Sequence, residues 1–315
     1  MSNKEISKPM RDVFISELYT KMEKDTSIFF LSADFGSPAL DKLRSSFPDR
    51  FINVGIAEQN LINVSCGLAL EGFSVFAYAI APFITMRCFE QIRVNLAILS
   101  QIRPMNVNLI GVGAGFSYEV SGPTHHCLED ISIMRTLPNF EVLSPSDWYL
   151  TTQLVDYTLQ NKIPKYLRFD AKPLKGIYDS ITSEEIRNGF SELKKGKDIL
   201  IISTGYMTQK ALSIVLSSEK NLGLVDLIKL KGYSEAALLE KIKEYNKIIT
   251  IEEGFIGKGG VDSLVNNLVV KYELHKKVIN MGLQDNYIFH IGSREHLHGK
   301  HKVDEKAIKE VIDKI

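Results

Sequence analysis

Apolar runs of strand length alternate with stretches of helical period along most of this chain, and that alternation leaves few folds open. Met10, Val13, Phe14, Leu18 and Met22 share one helical face, and the run SIFFL at 27–31 that follows reads as a buried strand. Further strands are expected at 51–54, 73–78, 107–112 and 166–169, with helices at 61–70, 86–99, 128–137 and 149–159 between them. Near-continuous apolar strands separated by helices predict a parallel sheet covered on both faces, a doubly wound α/β domain. A second series follows the polar stretch 178–197. Its strands are expected at 198–203, 222–228, 248–251 and 277–281, and its helices at 209–216, 235–245 and 261–272. A chain of 315 residues is also long for a single core. The expectation is two such domains, 1–180 and 190–315, with a boundary near 178–190.

Composition narrows the partners. The 38 basic residues balance the 38 acidic ones, which argues against nucleic acid or an anionic membrane. The first ten residues, MSNKEISKPM, lack the apolar centre of a signal peptide. The most apolar stretch, 61–84, is interrupted by Asn63, Ser65, Gly67, Glu71 and Gly72, so it reads as helix, turn and strand and not as a membrane span. Cys66, Cys88 and Cys127 are widely spaced, as suits reduced thiols in the cytoplasm, and Cys127 reads as packing. The H-x-H-x-x-H of His296, His298 and His301 has no supporting cysteine or carboxylate pattern. It reads as a solvated surface segment, and no metal site is expected. Gly257-Lys258-Gly259-Gly260 lacks the Walker pattern.

The segment Gly55-Ile56-Ala57-Glu58-Gln59-Asn60 lies where a strand ends and a helix begins. Ligands of open parallel sheets sit beyond such strand ends. An acidic first helical turn is common, however, and this segment alone decides nothing. The blocks around it are Ser32-Ala33-Asp34, Glu90-Gln91-Ile92-Arg93, Ser121-Gly122-Pro123-Thr124-His125 and Glu129-Asp130. They continue through Leu137-Pro138-Asn139, Pro145-Ser146-Asp147 and Ile251-Glu252-Glu253-Gly254 to Gly259-Gly260. In order and rough spacing the series resembles transketolases and deoxyxylulose-phosphate synthases over almost the whole chain, with the GIAEQN segment matching the signature of their pyrimidine-binding domain.

The resemblance implies thiamine diphosphate as cofactor, with the protein positioning and tuning it. Glu58 matches the glutamate that hydrogen-bonds a pyrimidine ring nitrogen and so helps activate the thiazolium carbon. Phe83, Met86 and Phe89, spaced three apart, read from the residues alone as helix core. In the family, aromatics at this place stack on the aminopyrimidine; Phe83 matches best, and Met86 replaces an aromatic. Asp34 matches a family acid near the site and the subunit contact. His125 matches the histidine beside the reacting carbons of the donor, whereas His126 is not carried over and reads as surface or packing. Arg11 and Arg168 match two arginines that hold the sugar phosphate, work that suits a guanidinium fork.

The departures concern the acceptor. Ser121 stands where ordinary transketolases place an acid before GPTH, Gly113 replaces a phosphate-contacting histidine, and Pro38, beside Ser37, replaces a serine. The chain also lacks the GDG motif with which the family holds magnesium and the diphosphate. The resemblance therefore implies a separate N-terminal partner chain that carries GDG and Mg2+, in an α2β2 assembly around a homodimer core. The leading expectation is transfer of a two-carbon ketol unit from a ketose to an aldose, a sugar phosphate or a modified sugar. Three alternatives stay open. One is a decarboxylating synthase like deoxyxylulose-phosphate synthase, which usually has an arginine near position 86. The others are a 2-oxoacid dehydrogenase beta subunit and a non-catalytic module of the same fold.

Overall fold

The computed structural model describes Asn3 and residues 6–315. Its strands in chain order are β1 (Ser7–Lys8), β2 (Ile28–Ser32), β3 (Phe51–Asn53), β4 (Ser74–Ile80), β5 (Val107–Val112), β6 (Glu141–Leu143) and β7 (Lys165–Phe169). They continue as β8 (Leu174–Lys175), β9 (Phe190–Lys194), β10 (Ile199–Ser203), β11 (Leu222–Leu227), β12 (Lys229–Lys231), β13 (Lys247–Phe255) and β14 (Lys277–Leu283). Two parallel-rich sheets result. The larger runs β12-β6-β7-β5-β4-β2-β3 and the smaller β14-β13-β10-β11-β9, while β1 and β8 form a short antiparallel ribbon. Only β12 and β9 run against their neighbours in the two sheets.

The period of two places alternate side chains of a strand in different cores. In β4, Val75, Ala77 and Ala79 face one core, and Phe76 and Tyr78 the other. In β5, Val107 and Leu109 part from Ile110 and Val112 in the same way. The helix Met10–Met22 covers the second face with Met10, Phe14, Leu18 and Met22, as its spacing predicts, and adds Ile15. Glu58–Leu70 covers the first face with Leu61, Ile62, Cys66 and Ala69. That core runs on without a break into Val225, Leu227, Leu230 and Leu238 of the second half, so one apolar body joins the two sheets. No described helix is long and apolar enough to cross a membrane.

Four findings depart from the sequence expectations. The strand expected at 222–228 is divided: β11 stays in the second sheet, and the chain then crosses to lay β12 on the edge of the first, Lys229 opposite Leu143. The polar stretch 178–197 contains the helix Ser183–Asn188 and strand β9. Short, charged elements of this kind carry little apolar period. The helix expected at 86–99 starts at Phe83 and is wound wide over Phe83–Arg87 and Ile92–Ile98. Wide turns of this type recur at functional sites. The histidine segment is the helix Arg294–His301, and His298 within it is fully buried against Glu253, not solvated.

Candidate active site

Five connections leave the carboxyl ends of β2, β3, β4, β5 and β7 at one edge of the larger sheet, and most of the expected site residues lie on them. Asn53 organises the first two. Its side-chain amide donates to Asp34 Oδ1 (2.9 Å), and its Oδ1 accepts from the backbone of Asp34 (3.1 Å) and of Gly55 (3.0 Å). Gly55, at φ 76°, turns the chain so that Glu58 opens the next helix. Asp34 is thereby a turn residue, exposed, and among the described residues its side chain bonds Asn53 alone.

The Glu58 carboxyl is only 6% exposed. A helix N-terminus favours a carboxylate there, and Arg87 Nη1 donates to Oε1 at 2.8 Å. Oε2 accepts no hydrogen bond among the described residues. Gln59 ties the same two segments together, its amide donating to the Arg87 carbonyl at 3.3 Å. The Arg87 guanidinium lies 3.7 Å from the centre of the Phe83 ring. Phe83 in turn meets the His125 ring edge-on at 5.3 Å, and the Thr124 hydroxyl is 3.0 Å from His125 Nδ1. Tyr118 approaches His125 at 6.2 Å. Glu58, Arg87, Phe83, His125 and Tyr118 are thus linked by successive contacts along one cleft. Met86 is exposed, and Phe89 packs against the core behind. The group over the Phe83 ring is Arg87, one place from the methionine expected there.

The connection after β5 is closed by a two-residue bridge, Gly115 to Cys127 (3.1 and 3.0 Å), and carries His125 at its far end. Ser121 is exposed in its turn, with its backbone N–H on the Tyr118 carbonyl (3.0 Å). Gly113, at φ 107°, explains the missing histidine sterically. A Cβ there would stand 2.2 Å from the Tyr118 ring, so Tyr118 fills the space a side chain would need. His126 is buried edge-on to Phe116 at 5.0 Å, and burial lowers its basicity. Burial pushes the Cys127 thiol far up, as fits packing.

The two arginines part company. Arg11 is partly exposed, bonded through Nε to Asp12 (2.7 Å), and near enough to Tyr78 to oppose part of the rise that burial imposes on that phenol. Arg168 is 4% exposed. Its Nε pairs with Asp130 at 2.8 Å, and Nη2 donates to the carbonyls of Cys127 (3.2 Å) and Glu253 (3.5 Å). Asp130 also accepts from the Tyr166 hydroxyl at 2.7 Å. The expectation that Arg168 holds a substrate anion is corrected here, because its guanidinium braces the cleft wall from within.

Sequence reading missed a second brace. Glu253, from β13, binds Arg294 through both oxygens (2.7 and 2.6 Å), contacts His298, and accepts from the backbone of Phe116 at 3.2 Å. Arg294 reaches Asp170 at 2.6 Å. Arg294 overcomes the burial penalty and holds Glu253 well below the usual carboxylate range. These residues are 41 and 124 positions apart, so only topology brings them together. The Ile251-Glu252-Glu253-Gly254 block is the signal the sequence offers for it.

The residues fit an aminopyrimidine: a buried carboxyl with one unbonded oxygen, an aromatic face beside it, and a histidine beyond. No group of three or more His, Cys, Asp or Glu among the described residues is placed to hold a metal ion.

Residues 7–175 match the transketolase pyrimidine-binding domain, and residues 190–308 the transketolase C-terminal domain. Among curated relatives, one of the two chains of an apulose-4-phosphate transketolase from Actinobacillus succinogenes is 28% identical over 98% of this chain and 97% of its own. A 6-deoxy-6-sulfo-D-fructose transketolase subunit of a Clostridium species is 29% identical over 83% of this chain and 82% of its own. A solved split-gene transketolase, described as an inactive beta4 tetramer, superposes with a TM-score of 0.85 at 28% identity and covers 97% of both chains. With the pyrimidine-binding domain matched across more than half its length, the chain belongs to the transketolase family.

Proposed function

We propose that this chain is the C-terminal, pyrimidine-binding subunit of a split transketolase, moving a two-carbon ketol unit from a ketose to an aldose. The observation that carries the reading is the single cleft in which buried Glu58, Phe83 and His125 meet at the carboxyl edge of the sheet. Thiamine diphosphate would supply the carbanion chemistry when bound. Glu58, through Oε2, shares a proton with a pyrimidine ring nitrogen, which a carboxyl can do and an amide cannot. Phe83 orients the ring. His125, with Nδ1 engaged by Thr124, offers Nε2 to a substrate hydroxyl. Arg11 offers its free edge to an anionic end group. Asp34 serves from a distance, by fixing the turn that carries Glu58.

The magnesium diphosphate falls to a partner chain with a GDG motif, in an α2β2 assembly. Ile56, Met86, Val94 and Ile98 are exposed apolar residues of the Glu58 turn and the Phe83 helix, and they suit a face that another chain covers. A modified-sugar acceptor accords with Ser121 in place of an acid, with Tyr118 over Gly113, and with the substrates in the relatives' names. A cytoplasmic setting accords with the buried free thiols.

One observation favours the decarboxylating synthase as a second reading: Arg87 stands one place from position 86, near which that family usually has an arginine. The match over nearly the full length of transketolase subunits weighs more. In the assembled complex, Glu58→Gln is expected to slow proton exchange at the thiazolium carbon about a hundredfold or more. Near-normal exchange would remove Glu58 from the mechanism. The purified chain alone is expected to show no ketol transfer with thiamine diphosphate and magnesium. Robust turnover by it would sink the split-enzyme reading, and pyruvate decarboxylation by the complex would favour the synthase.

A further inference from the structure

Arg87 makes two contacts, and both fall on groups meant for the cofactor. Its Nη1 bonds Glu58 Oε1 at 2.8 Å, and its guanidinium lies flat enough on Phe83 to come within 3.7 Å of the ring centre. A guanidinium and an aminopyrimidine share the relevant chemistry. Each is planar, carries N–H donors in its plane and offers a face to an aromatic ring. One Phe83 face cannot hold two planar groups at stacking distance, and one carboxyl oxygen cannot keep a charge-assisted bond to Arg87 undisturbed while the pair is pried apart. Arg87 is also free to leave. Its side chain is 47% exposed, and its carbonyl, not its guanidinium, is what Gln59 holds.

We propose that Arg87 stands in for the aminopyrimidine in the cofactor-free chain, and that loading exchanges it off Phe83 and Glu58. The stand-in keeps the buried Glu58 carboxylate paired while the cleft waits, since an unpaired buried charge is costly. Its contacts are half-exposed, so the exchange is shallow. The inference rests on the thiamine-diphosphate reading above.

The test uses the complex with its partner chain, and titration calorimetry with thiamine diphosphate and magnesium. Arg87→Ala is expected to tighten cofactor binding about three- to tenfold, because the competing contacts are gone. Arg87→Lys, which keeps the charge but loses the planar face, is expected to fall between. A direct readout comes from the side-chain Nε–H signal of Arg87. Ring current from Phe83 should move it upfield in the free complex, the cofactor should return it to the ordinary arginine position, and Phe83→Leu should abolish the shift. Unchanged or weaker binding by Arg87→Ala, or an Arg87 signal that the cofactor leaves in place, overturns the stand-in and makes Arg87 an ordinary wall or ligand of the site. If neither wild type nor variant binds the cofactor, the thiamine reading itself falls, and the stand-in with it.

Discussion

Arg11 and Arg168 show how a residue type can be right for a task and its surroundings wrong. Both guanidiniums matched phosphate-holding positions, yet Arg168 spends its donors on Asp130 and two carbonyls inside the protein. Arg11→Ala is expected to weaken binding of a charged substrate to the complex by about 1.5–3 kcal/mol, while the melting temperature stays put. Arg168→Met should do the reverse, costing about 3–5 kcal/mol of stability because it strands Asp130 as a buried charge. Substrate titrations beside thermal melts separate the two. Equal stability loss in both variants would return Arg11 to the scaffold. His298 carries the same lesson, since its neighbours in sequence are exposed and its partner Glu253 lies 45 positions away.

At the level of elements, the connection 113–127 decides where His125 points, and it is set from outside its own sheet. Glu253 fills the space over Gly115, where a Cβ would come within 1.9 Å of its carboxylate on a backbone at φ 56°. Gly115→Ala should therefore destabilise the chain by about 2 kcal/mol or more and displace His125. Denaturant unfolding of the chain, with the kcat of the complex beside it, measures both effects. A variant normal in both would show the connection to be held elsewhere. The order of strands and helices was legible in the sequence because long apolar runs keep their period. β12, a Lys-Leu-Lys segment, and β9 were not, because three to five residues with charges show no period. Glu58 and His125 were legible through the blocks around them. Arg87 was not, because its meaning lies in a contact with Glu58, 29 positions away, and the wide-wound helix offsets the face that a regular period predicts.

Across the molecule, the two halves meet over buried charge as well as apolar surface. Glu141 of β6 accepts from the Tyr157 hydroxyl (2.7 and 2.8 Å), from Asn161 (3.0 Å) and from Lys229 of β12 (3.3 Å). Close by, Lys165 is fully buried, its ammonium bonded to Asn106 Oδ1 (3.2 Å) and the Ile163 carbonyl (2.7 Å). Burial lowers its pKa to about 7. The unfolded chain keeps that proton up to about pH 10, so between these values the unfolded state binds more protons and stability rises with pH. Comparing unfolding free energies of wild type and Lys165→Met from about pH 7 to about pH 9.5 should show that rise in wild type and a flatter profile in the variant. Parallel profiles would mean that Lys165 is charged in the fold.

β12 has a consequence for how such a chain can be made and divided. The larger sheet lacks its last strand until residue 231 has been synthesised, so the first half cannot finish folding as an independent unit while the second is still emerging. A chain cut near residue 185, between the two matched domains, would leave the outer edge of β6 with unpaired N–H and C=O groups and the core beneath Leu230 open. Such an edge recruits any strand at hand. The separated N-terminal half is therefore expected to self-associate into soluble clusters or precipitate. Supplying residues 190–315 as a second polypeptide should rescue it, with β12 closing the sheet from a different molecule.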